Sequence, residues 1–158
     1  MAAKTIVIDG VGGQGVLKVA EVCGWAAILE GFHVKKSEVH GMAQRGGSVE
    51  SHVRFGKKVY SPLIPVGGAD IIVCLHKEEH ARLKAFLKPS GKDLTQYIDE
   101  AEQNAGNRKY MNTYMLGILS TALELSEASW LKAFEKSFSG KILEENKKIF
   151  LAARRAHS

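Results

Sequence analysis

Two glycine-rich stretches carry the side chains of this chain best suited to hold a partner. In the first, Gly10-Val-Gly-Gly-Gln-Gly15, the residues Gly12, Gly13, Gln14 and Gly15 lie between an apolar run and a helical pattern. A glycine turn that opens a helix leaves backbone N–H groups free at the helix N-terminus, where an anion or a carbonyl is favoured. Gln14 adds a flexible amide that a tight turn does not require. The second stretch is His40-Gly-Met-Ala-Gln-Arg-Gly-Gly47. Here Gln44 and Arg45 sit between small residues and Gly46-Gly47, so the backbone can approach a partner closely. The planar arginine fork can then reach a carboxylate or phosphate.

The spacing Gly10-x-Gly12-x-x-Gly15 fits the dinucleotide fingerprint, which also needs an acidic residue ~20 positions on, at the end of the next strand. Glu38 is near that place, but Lys35-Lys36 precede it and a glycine-rich loop follows it. A tight turn packing a helix on a sheet explains the same glycines, and both readings stand on residues alone.

Catalytic sets are not evident. His40 and His52 flank the second loop, and Ser48 is near them only in sequence. His76 and His80 have the i, i+4 spacing of a metal pair, without an evident third ligand. Cys23 and Cys74 are too few and too far apart for a four-cysteine cluster and read as buried thiols suited to a reducing cytoplasm. No paired carboxylates stand out in an apolar setting. No catalytic residue and no metal site are therefore expected in this chain.

The elements that position the two loops follow from periodicity. Thr5–Asp9 is a β-branched strand and Val16–Leu29 a helix with Val16, Val19, Ala20, Cys23 and Ala27 at helical spacing. Phe32–Val39 reads as the second strand, so both loops leave the C-terminal ends of strands expected to be neighbours. Ser48–Phe55 alternates, with Val49, Ser51 and Val53 on one face and Glu50, His52 and Arg54 on the other. Phe55-Gly-Lys-Lys reads as a turn, with Val59–Leu63 returning antiparallel. Ala69–Leu75 is the most apolar strand and is expected at the centre. Lys77–Leu87 reads as an amphipathic helix with Ala81, Leu83, Phe86 and Leu87 inward, ended by Lys88-Pro-Ser-Gly-Lys. Leu94–Ala105 reads as an exposed helix and Arg108–Met111 as a short edge strand. A helix capped by Asn112 or Thr113 runs to Leu125, another is capped by Ser126, and Ile142–Ala153 is the last. Strands alternating with helices predict a three-layer α/β/α sandwich. Its sheet is mostly parallel with one antiparallel hairpin, and the C-terminal third is helical.

With 158 residues, 45% of them hydrophobic, the chain reads as one domain over 1–158. Its net charge of +5 is spread along the chain with no aromatic-studded basic stripe, so no nucleic-acid partner is expected. No signal-peptide pattern and no apolar run of ~20 residues is present, so no membrane partner and a cytoplasmic location are expected.

The two loop motifs, Gly-Val-Gly-Gly-Gln-Gly-Val at 10–16 and Ser-Glu-Val-His-Gly-Met-Ala-Gln-Arg-Gly-Gly-Ser-Val at 37–49, resemble the gamma-type domain of 2-oxoacid:ferredoxin oxidoreductases. The form of the second motif is most similar to the beta subunit of indolepyruvate ferredoxin oxidoreductases. The resemblance continues through Ser61-Pro-Leu-Ile-Pro65, Ala69–Val73, the Leu-Lys-Pro-Ser-Gly break, Asn112–Gly117 and Asn146. It implies a subunit, inactive alone, of a complex that oxidatively decarboxylates a 2-oxo acid, here an aryl pyruvate. Coenzyme A takes the acyl group and ferredoxin the electrons. Thiamine diphosphate, its magnesium ion and the iron–sulfur clusters are implied in a large alpha subunit, none of them in this chain. The resemblance also implies that Gly12, Gly13, Gln14, Gly15, His40, Gln44, Arg45, Gly46 and Gly47 line the side turned to that subunit and to coenzyme A. After Leu-Lys-Pro-Ser-Gly the family runs into another apolar strand, whereas residues 92–103 here are polar and helical in pattern, so one sheet strand is expected to be missing. The other reading is a free-standing, Rossmann-like nucleotide-binding domain using Gly10–Gly15.

Overall fold

A computed structural model describes residues 3–11, 15–40 and 47–158. Strand β1 (Lys4–Val11) leads into helix α1 (Val16–Leu29), then β2 (His33–His40), β3 (Ser48–Gly56) and β4 (Ala69–Cys74). A one-turn helix α2 (His80–Leu83), flanked by 3-10 turns, precedes β5 (Leu87–Asp93). Helices α3 (Ile98–Asn104), α4 (Met111–Thr121), α5 (Glu127–Ser137) and α6 (Gly140–His157) complete the chain.

The strand order is β2-β3-β1-β4-β5. β1 pairs parallel with β4, and β4 with β5, while β3 is antiparallel to both β1 and β2. Ile6, Val7 and Ile8 of β1 are fully buried, as a strand apolar on both faces must be, and β1 is the central strand. β4, expected at the centre, lies beside it.

The sheet is covered unequally. On one face Ile6, Ile8, Val53, Phe55, Ile71 and Val73 pack under α1, α4, α5 and α6 in one large core. Trp130, Phe134 and Phe150 anchor those helices, with the Phe134 and Phe150 rings 4.9 Å apart. On the other face a small core of Val7, Ile72, Cys74, Ile64 and Leu83 is covered by the 57–68 connector and the short 77–86 segment. The three layers exist, but the third is thin.

Several expectations are corrected. Val59–Leu63 is not a strand, because β1 and β2 already occupy both edges of β3. Pro62 and Pro65 remove ladder donors as well. Instead Arg54 Nη1 donates to Ser61 O (2.9 Å) and Leu63 O (3.1 Å), fixing the connector by a side chain. The antiparallel hairpin is β2–β3. Lys77–Leu87 is broken by 3-10 turns and Ala81 is exposed, because Leu87–Asp93 is drawn off to pair with β4. Thus Leu-Lys-Pro-Ser-Gly-Lys-Asp, expected as a break, is a strand at the sheet edge, and residues 94–104 that follow it are helical, as expected. There Pro89 is tolerated, and Gly91 is needed, since a Cβ would overlap Leu87 Cδ1 and stand 3.0 Å from Asp70 O. In 94–105, Leu94, Ile98, Ala101 and Ala105 are buried, so that segment is not an exposed helix. Arg108–Tyr110 is a 3-10 turn rather than a strand. α4 starts at Met111, placing Asn112 and Thr113 inside it, and it ends at Thr121 rather than Leu125. The Ser126 cap is as expected, with Ser126 Oγ accepting from Ser129 N at 3.2 Å.

Candidate functional site at the C-terminal edge of the sheet

Both glycine-rich segments leave the sheet at one edge. β1 ends there at Val11, whose register partner is Ser48, the first residue of β3. His40 closes β2 opposite Val49. β2 and β1 are not neighbours as expected, since β3 lies between them, yet their C-terminal ends share this edge. Gly15 is the N-cap of α1 with φ 78°, and a Cβ there would overlap Asn112 Nδ2. The left-handed turn and the α4 amide packed on it both require glycine. Of the sequence-derived site residues, the structure places Gly15, His40 and Gly47 at this edge. Gly12, Gly13, Gln14, Gln44, Arg45 and Gly46 lie outside the described residues.

The dinucleotide reading loses its acidic partner. Glu38 is exposed on the edge strand β2, two places from β1 with antiparallel β3 between. A dinucleotide site would bring that carboxylate beside the glycine turn.

Two residues inside the ends of β1 and β3 lies a polar cluster that sequence reasoning missed. Asp9 and Glu50 are register partners across β1 and β3. Asp9 is 0% exposed and Glu50 6%. Arg82 reaches in from α2, with Nη2 3.4 Å from Asp9 Oδ1, Nη1 bonded to Glu50 Oε1, and Nε 2.8 Å from Glu79 Oε2. His52 Nε2 lies 2.8 Å from Glu50 Oε2, and the His52 ring meets Phe86 edge-on at 5.5 Å. Burial pushes the Asp9 carboxyl up to about 7 against the pull of Arg82. The Glu50 carboxyl is held below its ordinary value by its hydrogen bond to His52, burial opposing and Arg82 assisting. Cys74 Sγ sits 3.8 Å from Asp9 Oδ2, and burial pushes its thiol up to about 12. The one legible hint was the alternation Glu50, His52, Arg54. It reads as a solvated face because nothing nearby in sequence announces the 77–86 cover.

A cavity of about 530 Å³ opens beside Gly15 on the other face. Its walls include Lys18 and Val19 of α1, Asn112 and Leu116 of α4, and Phe138 and Asn146 beyond. Lys18 Nζ donates to Ser137 O at 2.9 Å and lies 5.2 Å over the Phe138 ring. The first turn of α1 has no acidic side chain and no side-chain cap, so its N–H groups keep their positive end. Lys18 is already paired with Glu21 Oε2 at 3.1 Å, so the cavity offers a ligand apolar walls beside the N–H groups of a helix N-terminus.

The histidine pair at i, i+4 is not brought together as ligands. His80 Nε2 is 2.5 Å from Asp93 Oδ2, and His76 Nε2 is 3.6 Å from Glu78 Oε2. Among the described residues no three His, Cys, Asp or Glu side chains are grouped to hold a metal ion. Cys23 and Cys74 are both buried and unpaired with each other. Among those residues no helix is long and apolar enough to cross a membrane.

Residues 5–96 and 91–156 match the family model described as pyruvate ferredoxin/flavodoxin oxidoreductase. The indolepyruvate oxidoreductase subunit IorB of Thermococcus kodakarensis is 48% identical over 91 residues, which make up 58% of this chain and 45% of that protein. The chain thus spans about half the length of the curated relatives it matches. The gamma subunit of keto/oxoacid ferredoxin oxidoreductase from Geobacter sulfurreducens has a TM-score of 0.78 at 21% identity, covering 98% of this chain and 96% of that one. A 2-oxoglutarate:ferredoxin oxidoreductase from Magnetococcus marinus, solved with 2-oxoglutarate, coenzyme A and succinyl-CoA, has a TM-score of 0.82 at 18% identity. It covers all of this chain and 32% of that one. At those identities the two likenesses concern the fold.

Proposed function

The chain belongs to the pyruvate ferredoxin/flavodoxin oxidoreductase family, and from that premise we propose that it is the small subunit of a 2-oxoacid:ferredoxin oxidoreductase of the indolepyruvate type. The complex oxidatively decarboxylates an aryl pyruvate to its acyl-CoA and passes the electrons to ferredoxin. Thiamine diphosphate, magnesium and the iron–sulfur clusters belong to a large partner subunit, which supplies the carbon and electron chemistry. The observation that carries this reading is the 48% identity with an IorB subunit over 91 residues.

The work of this chain is to present its sheet edge. On this reading Gly12, Gly13, Gln14 and Gly15 contact the partner and coenzyme A, Gly15 as the N-cap of α1. His40, Gln44, Arg45, Gly46 and Gly47 contact them too, with Arg45 supplying a charge-assisted bond across the interface. The cavity beside Gly15 supports this reading, because coenzyme A combines phosphates with a long and less polar arm, and the cavity combines the N-terminus of α1 with apolar walls.

The test is assembly. The chain is co-expressed with the tagged large subunit from the same genome, and the purified complex is weighed by analytical ultracentrifugation. A stoichiometric complex is expected. Two species sedimenting separately at micromolar concentrations would count against the subunit reading.

A further inference from the structure

We propose that Arg82 is a positioning residue, its guanidinium clamped across Asp9 and Glu50 so as to fix the paired strand ends from which both glycine-rich loops spring. The assignment rests on the reading of those loops as the partner-facing edge.

The geometry sets up the need. Two carboxylates directly opposite on an antiparallel pair repel each other. Here both are buried, two residues inside the point where β1 ends and β3 begins. A cation between them removes that repulsion, and the hydrogen bonds of a fork, in fixed directions, tie the two strand ends to the second layer besides and hold the loop bases with them. Arg82 does not belong to the sheet. It comes from α2, in the thin second layer, and its fork splits three ways, to Asp9, Glu50 and Glu79. A planar guanidinium can hold three acceptors in fixed directions, whereas an ammonium supplies a point charge. The Arg82 side chain is 47% exposed, so replacing it removes charge and hydrogen bonds but little core volume. His52 backs Glu50 from its other side, which leaves Asp9 dependent on Arg82 for compensation within the cluster.

The alternative, that Arg82 only balances charge, is separated by Arg82→Lys. The conservative variant keeps the charge and loses the fork. Three quantities are measured on the full chain: melting temperature, backbone amide exchange by mass spectrometry, and affinity for the large subunit. Clamping predicts that Arg82→Lys melts within about 2–4 °C of the parent. Amide exchange at residues 9–11 and 47–51 should then rise ~10-fold, with α4, α5 and α6 unchanged. Affinity for the large subunit should fall ~10-fold. The double variant Asp9→Asn/Arg82→Gln has no unscreened pair of facing carboxylates and guards against a variant that fails to fold. It should show the same local rise in exchange. Parent-like exchange at 9–11 and 47–51 in both variants would overturn the proposal, as would a rise spread evenly over the whole chain. If the parent chain itself does not bind the large subunit, the functional reading fails, and the exchange measurement still decides the role of Arg82.

Discussion

Replacing Asp9 with asparagine should change how stability depends on pH. Asp9 is fully buried and its carboxyl is pushed up to about 7, first by burial, with Arg82 opposing. An aspartate in the unfolded chain titrates near 3.8. Because the folded value is the higher one, the folded state holds the proton more tightly between those two pH values. The stability this contributes is fully present below about 4, declines as pH rises, and is lost once pH passes about 7. A rise from 3.8 to about 7 is worth at most ~4 kcal/mol, at ~1.4 kcal/mol per pH unit, and relaxation of side chains and water around the buried charge brings the figure down to ~2 kcal/mol. The asparagine amide is nearly isosteric with the carboxyl and cannot ionise. Its oxygen can accept from Arg82, while its nitrogen takes the place of the oxygen that faces Cys74 Sγ. At pH 8 Asp9→Asn should therefore be more stable than the parent by ~2 kcal/mol, or about 4–8 °C in melting temperature for a domain of this size. At pH 5 the difference should shrink to less than half of that, ~0.8 kcal/mol. The opposite-signed contribution of Glu50, whose carboxyl is held below its ordinary value, is lost only as pH falls through that lower value, so a window of pH 5 to 8 avoids it. Taking the variant-minus-parent difference cancels the histidines. The assay is thermal unfolding by circular dichroism at pH 5, 6, 7 and 8. A difference constant across the window would mean that Asp9 is ionised throughout, and the burial argument would be refuted.

Arg45→Ala should leave the melting temperature nearly unchanged, within the ~0.5 kcal/mol usual for a surface residue, while weakening binding to the large subunit by ~2–5 kcal/mol in a pull-down titration. A variant melting several degrees lower would instead tie Arg45 to its own domain. Gly15→Ala should destabilise by ~1–2 kcal/mol in chemical denaturation, because φ is 78° and the new Cβ meets Asn112. An unaltered midpoint would show that the turn is not held as described. Ser126→Ala should cost ~1 kcal/mol by removing the cap of α5, read as about 2–4 °C in a thermal melt.

What was legible in the sequence was local. The β1–turn–α1 unit is plain because a buried β-branched run, a glycine turn and a helical period follow one another closely along the chain; the helix bounds Val16–Leu29 agree on both readings. Pairing was less legible. Phe55-Gly-Lys-Lys has the chemistry of a tight turn, but β3 spends both of its edges on β1 and β2, so the chain beyond Gly56 cannot fold back to pair with it. β5 was hidden for the opposite reason: Leu-Lys-Pro-Ser-Gly-Lys-Asp has poor strand propensity and is recruited by the free edge of β4. Beyond the alternation of Glu50, His52 and Arg54 the buried cluster could not be read, since Asp9 and Arg82 are 73 residues apart and nothing local to either predicts their meeting. The two loop motifs, by contrast, were visible as motifs, and the residues that brace them were not.

On the proposed reading this chain completes a 2-oxoacid:ferredoxin oxidoreductase without doing its chemistry. Ferredoxin reduction with indolepyruvate and coenzyme A, measured for the chain alone, the large subunit alone and the two mixed, decides this. No turnover is expected from this chain alone, and full turnover only from the mixture. Turnover by this chain without the large subunit, or a large subunit equally active without this chain, would contradict it.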